Sequence, residues 1–245
     1  MHPYLSKIKA HLFLHGIFGA SVAIAVACVD KLGFSFASTD GYARFFHTRF
    51  DKKMGVQTAE SNEHLEVDVP AEMHQDARSY EASPAVELFQ ILESFSIDSR
   101  MTFIDIGCGK GKAMLIASFF PFGKLEGIDL SNKLVAQCSD NLKQSDSLSN
   151  VQMPDYDVFC RNAVEYDFPE TDLLIYLFNP FGLTVLQQVL EKLQASLEDC
   201  PRNALVVYCN AVHSTCFEES ESWEPVSFNF PLGRWWRCFR NVRGD

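Results

Sequence analysis

Phe103-Ile-Asp-Ile-Gly-Cys-Gly-Lys-Gly-Lys112 is the stretch that decides the fold. A short apolar run ends in Asp105-Ile106, and glycines then recur at 107, 109 and 111 before helix-forming residues begin. A strand entering a glycine-rich turn and leaving as a helix is the first half of a βαβ unit. Without a Cβ the backbone can approach a ligand closely and adopt positive φ. The helix N-terminus adds partial positive charge suited to a carboxylate or phosphate. Nucleotide, flavin and nicotinamide sites all use this device, and the spacing here is G-x-G-x-G rather than G-x-G-x-x-G.

Downstream of that turn, strand-like and helix-like runs alternate. Strands are expected at Thr102 to Ile106, Lys124 to Leu130, Tyr156 to Cys160, Leu173 to Phe178 and Ala204 to Asn210, with two more around Trp223 to Phe230 and Trp235 to Asn241. Helices are expected between them at Lys112 to Phe120, Asn132 to Gln144 and Leu183 to Leu197. Upstream, Ser83-Pro84 supplies an N-cap and a first-turn proline for a helix over Pro84 to Phe95. The pattern predicts an α/β fold with a mainly parallel, Rossmann-like sheet of seven strands and helices on both faces.

Two further positions narrow the ligand. Asp129 closes the second strand 24 residues after Asp105, where a carboxylate can accept from two ribose hydroxyls. A nicotinamide site places an acid similarly. Leu174-Ile-Tyr-Leu-Phe-Asn-Pro-Phe-Gly182 then ends an apolar strand in Asn179-Pro180-Phe181, at the carboxyl edge where open α/β sheets bind ligands. Each position also has a plainer reading. Asp105 can be a turn-bonding acid, Asp129 with Ser131 an N-cap, Ser83 an N-cap, and Asn179-Pro180 a strand-ending turn.

With these elements the chain resembles the class I methyltransferases, whose sheet has seven strands, one of them antiparallel. Phe103 to Gly111 is similar to their first motif, Gly127-Ile-Asp129 to their ribose-binding acid, and Asn179-Pro180-Phe181 to the motif after the fourth strand of many N-methyltransferases. The resemblance covers roughly Tyr80 to Asn210. More narrowly, Phe50-Asp51, Gly55-Val56, Thr58, Tyr80, Ser83-Pro84 and Phe178 to Gly182 resemble small bacterial methyltransferases of unassigned substrate, and membrane-anchored lysine methyltransferases of the mitochondrial ATP-synthase-subunit type. The resemblance implies S-adenosylmethionine as cofactor. Asp105, Gly107, Gly109 and Gly111 would hold its amino acid end and Asp129 its ribose. Asn162-Ala163 would lie near the adenine, where the family often has Asp-Ala, so a charge is lost there. Tyr80 and Ser83 would fold over the cofactor. Asn179, with the Pro180 carbonyl, would accept from a target nitrogen, and Phe181 would pack on the substrate's stem or ring. The acceptor implied is a protein, through a lysine side chain. A small metabolite or an RNA base is the alternative, and a non-catalytic cofactor-binding scaffold the third reading.

Composition limits the partners. A formal charge of -11 disfavours a protein that grips a long run of phosphates, so no DNA partner is expected. Eight scattered cysteines contain no C-x-x-C pair and no grouping with histidine at zinc-ligand spacing, so no metal is expected and a reducing compartment is implied. His47, His74 and His213 are isolated and read as structural or surface residues. Neither sequence pattern nor resemblance fixes an oligomeric state.

The N-terminus is the second informative region. From Leu12 to Val29 no Asp, Glu, Lys or Arg occurs, near the lower limit for a membrane span. Residues 1–34 are therefore expected to form a hydrophobic helix, 35–79 a polar connector and 80–245 the catalytic domain. A soluble capping helix is the main alternative to an anchor. A cleaved signal peptide is another, since Lys7 and Lys9 precede the run and Ala25-Val26-Ala27 resembles a cleavage site. If the helix does anchor, the excess of basic residues after it keeps the domain on the cytoplasmic face.

Overall fold

The structure is a computed structural model, and it describes residues 3–30, 40–59, 68, 80–147, 153–228 and 235–242. Seven strands form one sheet: β1 (Met101–Ile106), β2 (Lys124–Asp129), β3 (Asp155–Cys160), β4 (Asp172–Phe178), β5 (Ala204–Cys209), β6 (Trp223–Pro225) and β7 (Trp236–Asn241). Their spatial order is β3-β2-β1-β4-β5-β7-β6, and β7 alone runs against the rest. This is the mainly parallel sheet of seven strands that the sequence predicts, with the one antiparallel strand that the resemblance implies.

Helices α1 (Pro3–Asp30), α2 (Asp40–Met54), α3 (Ala85–Glu93), α4 (Lys112–Ala117), α5 (Asn132–Asp146), α6 (Leu183–Asp199) and α7 (Thr215–Glu218) surround it. Central strands are buried on both faces, so β4 reads as a nearly continuous apolar run and β1 as one interrupted by Thr102 and Asp105. Period-two alternation then sorts their side chains between two cores. Phe103, Leu174, Tyr176 and Val207 face α1 to α4, while Ile104, Ile106, Leu173, Ile175 and Val206 face α6. On α6 the buried Leu186, Val189, Leu193 and Leu197 recur at helical spacing, which is why that segment covers a sheet face.

Several expected boundaries shift. α4 ends at Ala117 rather than Phe120, and β6 ends at Pro225, with Phe230 outside the described residues. Ser83 does not cap α3. Pro84 occupies the cap position, without a side-chain cap bond. The largest difference lies in the expected connector, where Asp40–Met54 is a helix. The acidic stretch from Glu60 to Asp76, apart from Asp68, and His74 lie outside the described residues.

α1 packs on α3 and α2. It breaks at Gly16, whose φ of 71° and ψ of -178° interrupt the backbone ladder. Freed carbonyls need donors, and α2 supplies them. Arg49 Nη2 donates to the His15 carbonyl at 2.8 Å, and Lys53 Nζ donates to that of Phe13. Before the break, Ala10, His11, Leu14 and His15 are buried. After it, Ile17 and Phe18 are 80% and 62% exposed.

Candidate functional site

The glycine turn sits where β1 delivers it, at the carboxyl edge of the sheet between β2 and β4. Gly107 and Gly109 have φ of 81° and 52°, and both are closely overlain. A Cβ on Gly107 would stand 2.6 Å from Pro180 Cβ, and one on Gly109 would stand 2.3 Å from the Tyr80 ring. Only glycine fits either position, for conformation and for space. Gly111, also left-handed, precedes α4 and lies against Cys138.

Asp129, at the tip of β2, is tied into the same turn. Its Oδ2 accepts from Gly109 N at 2.9 Å and its Oδ1 from Ser131 N at 3.0 Å. Each oxygen keeps a further lone pair, and the residue is half-buried. Ser131 Oγ, not Asp129, caps α5 by accepting from Leu134 N at 3.2 Å. Asp105 is buried at 2% exposure, and burial first, then the neighbouring Asp129 charge, push its carboxyl well above the usual range. Burial also raises Asp129, against hydrogen bonds from Ser131 and Gly109 that lower it. A cationic group arriving here would draw both back toward carboxylates.

The turn's backbone amides differ from expectation. Gly107 N and Cys108 N both donate to the Ile128 carbonyl, at 2.8 and 3.0 Å, and Gly111 N donates to the Cys108 carbonyl at 2.8 Å. With Gly109 N on Asp129, these four amides are spent holding the turn to β2 and closing it on itself. The glycines thus serve close packing and positive φ.

Asn179 leaves β4 with φ of 41°, beside Asn210 leaving β5 with φ of 49°. Asparagine tolerates this region better than most residues. Asn179 Oδ1 is buried and has no hydrogen-bond partner among the described residues, an arrangement that costs about 1–3 kcal/mol unless a ligand supplies a donor. Pro180 reaches the turn, as its contact with Gly107 requires. Phe181 does not face an opening. It is 8% exposed and belongs to the core cluster shared with β4, β5 and α6.

Of the remaining expected residues, Asn162 Oδ1 accepts from Val164 N at 3.2 Å and caps the short 3-10 turn Ala163–Glu165, leaving one lone pair. Ala163, the first residue of that turn, is buried, and so is Ser83. Tyr80 lies across Gly109, its hydroxyl donating to the Thr58 carbonyl at 2.8 Å. The structure adds residues to this surround. Lys112, the last residue of the quoted stretch, is 2% exposed. Its Nζ meets His47 Nδ1 and lies 5.0 Å from the Phe50 ring centroid. Burial lowers its pKa to about 7 and that of His47 to about 4. No group of three or more potential metal ligands occurs among the described residues.

Similar solved structures include methyltransferases. A putative methyltransferase from Escherichia coli has 16% identity and a TM-score of 0.49 over 68% of this chain and 93% of that one. A SAM-dependent methyltransferase from Aquifex aeolicus has 15% identity and a TM-score of 0.47, covering 65% and 93%. Magnesium protoporphyrin IX methyltransferase from Synechocystis PCC 6803, solved with bound SAM, has 13% identity and a TM-score of 0.43, covering 65% and 77%. No protein-family model matches the sequence, and no curated protein matches it.

Proposed function

We propose that the chain is an S-adenosylmethionine-dependent methyltransferase that acts on a nitrogen of a protein side chain, a lysine. The observation that carries the reading is convergence. Asp129 bonds the glycine turn through Gly109, and Pro180 packs on Gly107, so three stretches separated by tens of residues form one edge. The donor set suits the cofactor. Asp105 would pair with its ammonium, which offsets the burial that raises this carboxyl. Asp129 has the two lone pairs that a ribose diol requires, and Asn162 retains one for an exocyclic amine. Tyr80 would form one wall.

S-adenosylmethionine supplies an already activated methyl group, so the protein's part is mainly placement. Asn179 Oδ1, buried and without a partner among the described residues, would accept from the target nitrogen and aim its lone pair. Half-buried Phe178 would shed water around that nitrogen and favour the neutral amine. Phe181 contributes by fixing the turn.

Incubating the full chain with methyl-labelled cofactor and membrane or ribosomal extracts tests the acceptor. Label in protease-sensitive, RNase-resistant material is expected, and label only in RNA or small metabolites refutes a protein acceptor. Calorimetric titration tests the layer beneath. Absence of heat and of thermal shift at millimolar S-adenosylmethionine would leave a scaffold without cofactor.

We further infer that the protein works at the cytoplasmic face of a membrane, held through residues 12–29. Lys7–Cys28 is long and apolar enough to cross a membrane, with mean hydropathy 1.8. A core helix or a signal sequence has the same composition. The exposed Ile17, Phe18 and Ile24 give this segment apolar side chains on its surface that lipid could cover. Cosedimentation with anionic vesicles should be lost in Ile17→Asp/Phe18→Asp, and wild-type protein remaining in the supernatant would refute the attachment.

A further inference from the structure

Asp51 belongs to the narrower resemblance but has no role assigned at the site, yet its carboxylate accepts three hydrogen bonds. It sits near the end of α2 at 9% exposure. Its Oδ1 accepts from Thr58 Oγ1 at 2.5 Å, and its Oδ2 accepts from Thr58 N at 2.6 Å and Ala59 N at 2.7 Å. Its own carbonyl accepts from Val56 N at 3.0 Å. One carboxylate therefore folds residues 56–59 back over the end of α2, and Thr58 is completely buried there.

What that strap holds is the wall of the candidate site. The Thr58 carbonyl accepts from Tyr80 Oη at 2.8 Å, and the Tyr80 ring is the group whose closeness forbids a Cβ on Gly109. A second tether fixes the strap to the turn's other side. Asn141 Oδ1 accepts from Gln57 N at 3.0 Å, while its Nδ2 donates to the Gln57 carbonyl at 3.3 Å and to the Lys110 carbonyl at 2.9 Å. Backbone at 57–58 is thus pinned between α5 and residues 109–110, and Tyr80 is pinned to that backbone.

We propose that Asp51 is a positioning residue for cofactor binding. It fixes the Thr58 carbonyl, the carbonyl fixes the Tyr80 ring over Gly109, and the ring sets the wall against which the ligand lies. Ordering the ring before the ligand arrives removes an entropic cost from binding. The inference rests on the reading of the glycine turn as a cofactor site.

The test is calorimetric titration of S-adenosylmethionine into full-length wild type, Asp51→Asn, Asp51→Ala, Tyr80→Phe and the double variant Asp51→Asn/Tyr80→Phe. Urea midpoints are measured without ligand in parallel. Tyr80→Phe keeps the ring and removes only its tether, so it remains informative if Asp51→Ala folds poorly. Affinity should fall about 5- to 20-fold in Tyr80→Phe, as expected for one lost hydrogen bond and a loosened ring. Asp51→Ala should lose more than Asp51→Asn, which keeps one acceptor. The double variant should be no worse than the weaker single, because both act through one link. Wild-type affinity in Asp51→Asn and Tyr80→Phe, or effects that multiply in the double variant, would overturn the inference. A fall in urea midpoint with unchanged affinity would assign Asp51 a purely structural role and overturn it too. Failure of the wild type to bind would instead remove the cofactor reading beneath it.

Discussion

Replacing Asp129 separates a ligand from a turn acceptor, because the structure gives this carboxylate the second job and the proposed function adds the first. It accepts from Gly109 N and Ser131 N, and each bond to a charged acceptor contributes about 1.5–3 kcal/mol where water is excluded. Asp129 is half-buried, so water replaces much of this in Asp129→Ala, and a net loss near 2 kcal/mol follows. For a chain of this size that lowers Tm by roughly 4–8 °C. Ligand binding adds an independent loss. Two ribose hydroxyls on the remaining lone pairs contribute about 3 kcal/mol together, which is about 100-fold in Kd. Asp129→Asn keeps the shape but must turn an N–H toward Gly109 N or Ser131 N, so its stability should fall close to that of the alanine variant. Thermal unfolding without ligand and calorimetric titration with S-adenosylmethionine read the two effects separately. A Tm that falls while Kd stays at the wild-type value would show that Asp129 only holds the turn, and the ribose assignment would be withdrawn.

Gly109→Ala meets both a φ of 52° and a ring 2.3 Å away, so a loss of about 2–4 kcal/mol is expected by urea unfolding. Adding Tyr80→Ala should recover the steric part of the loss and leave the φ part, and a single variant as stable as wild type would contradict the packing described. Lys112 predicts a pH effect with a definite sign. Its folded pKa of about 7 lies below the model-peptide value of 10.5, so between those values the unfolded chain holds a proton that the folded chain lacks. Stability from this group therefore rises with pH across that window, at up to about 1.4 kcal/mol per unit. Urea midpoints at pH 7, 8 and 9 should rise more steeply in wild type than in Lys112→Met, and equal slopes would refute the burial of a largely neutral lysine.

Much of the fold was legible because its causes are local. β1 and β4 are buried on both faces and are rich in apolar residues, and α6 shows its apolar stripe at helical spacing. Asp40–Met54 escaped because its pattern is mixed. Phe46 and Phe50 face inward, while Arg49 and Lys53 serve carbonyls freed by a break in another helix. Nothing near those cations in sequence signals the need for them.

The quoted glycine stretch shows the same division. Sequence alone determined that a strand would enter a turn of left-handed glycines and leave as a helix, since only glycine takes those angles without cost. Tertiary structure decided what the glycines are for. Pro180 and Tyr80 come from 73 positions downstream and 29 upstream to cover Gly107 and Gly109, while Ile128 and Asp129 consume the amides the sequence left open to a ligand. Such contacts are set by the order in which strands pair and by where each chain leaves the sheet. Those are properties of the whole sheet, and no window of residues contains them.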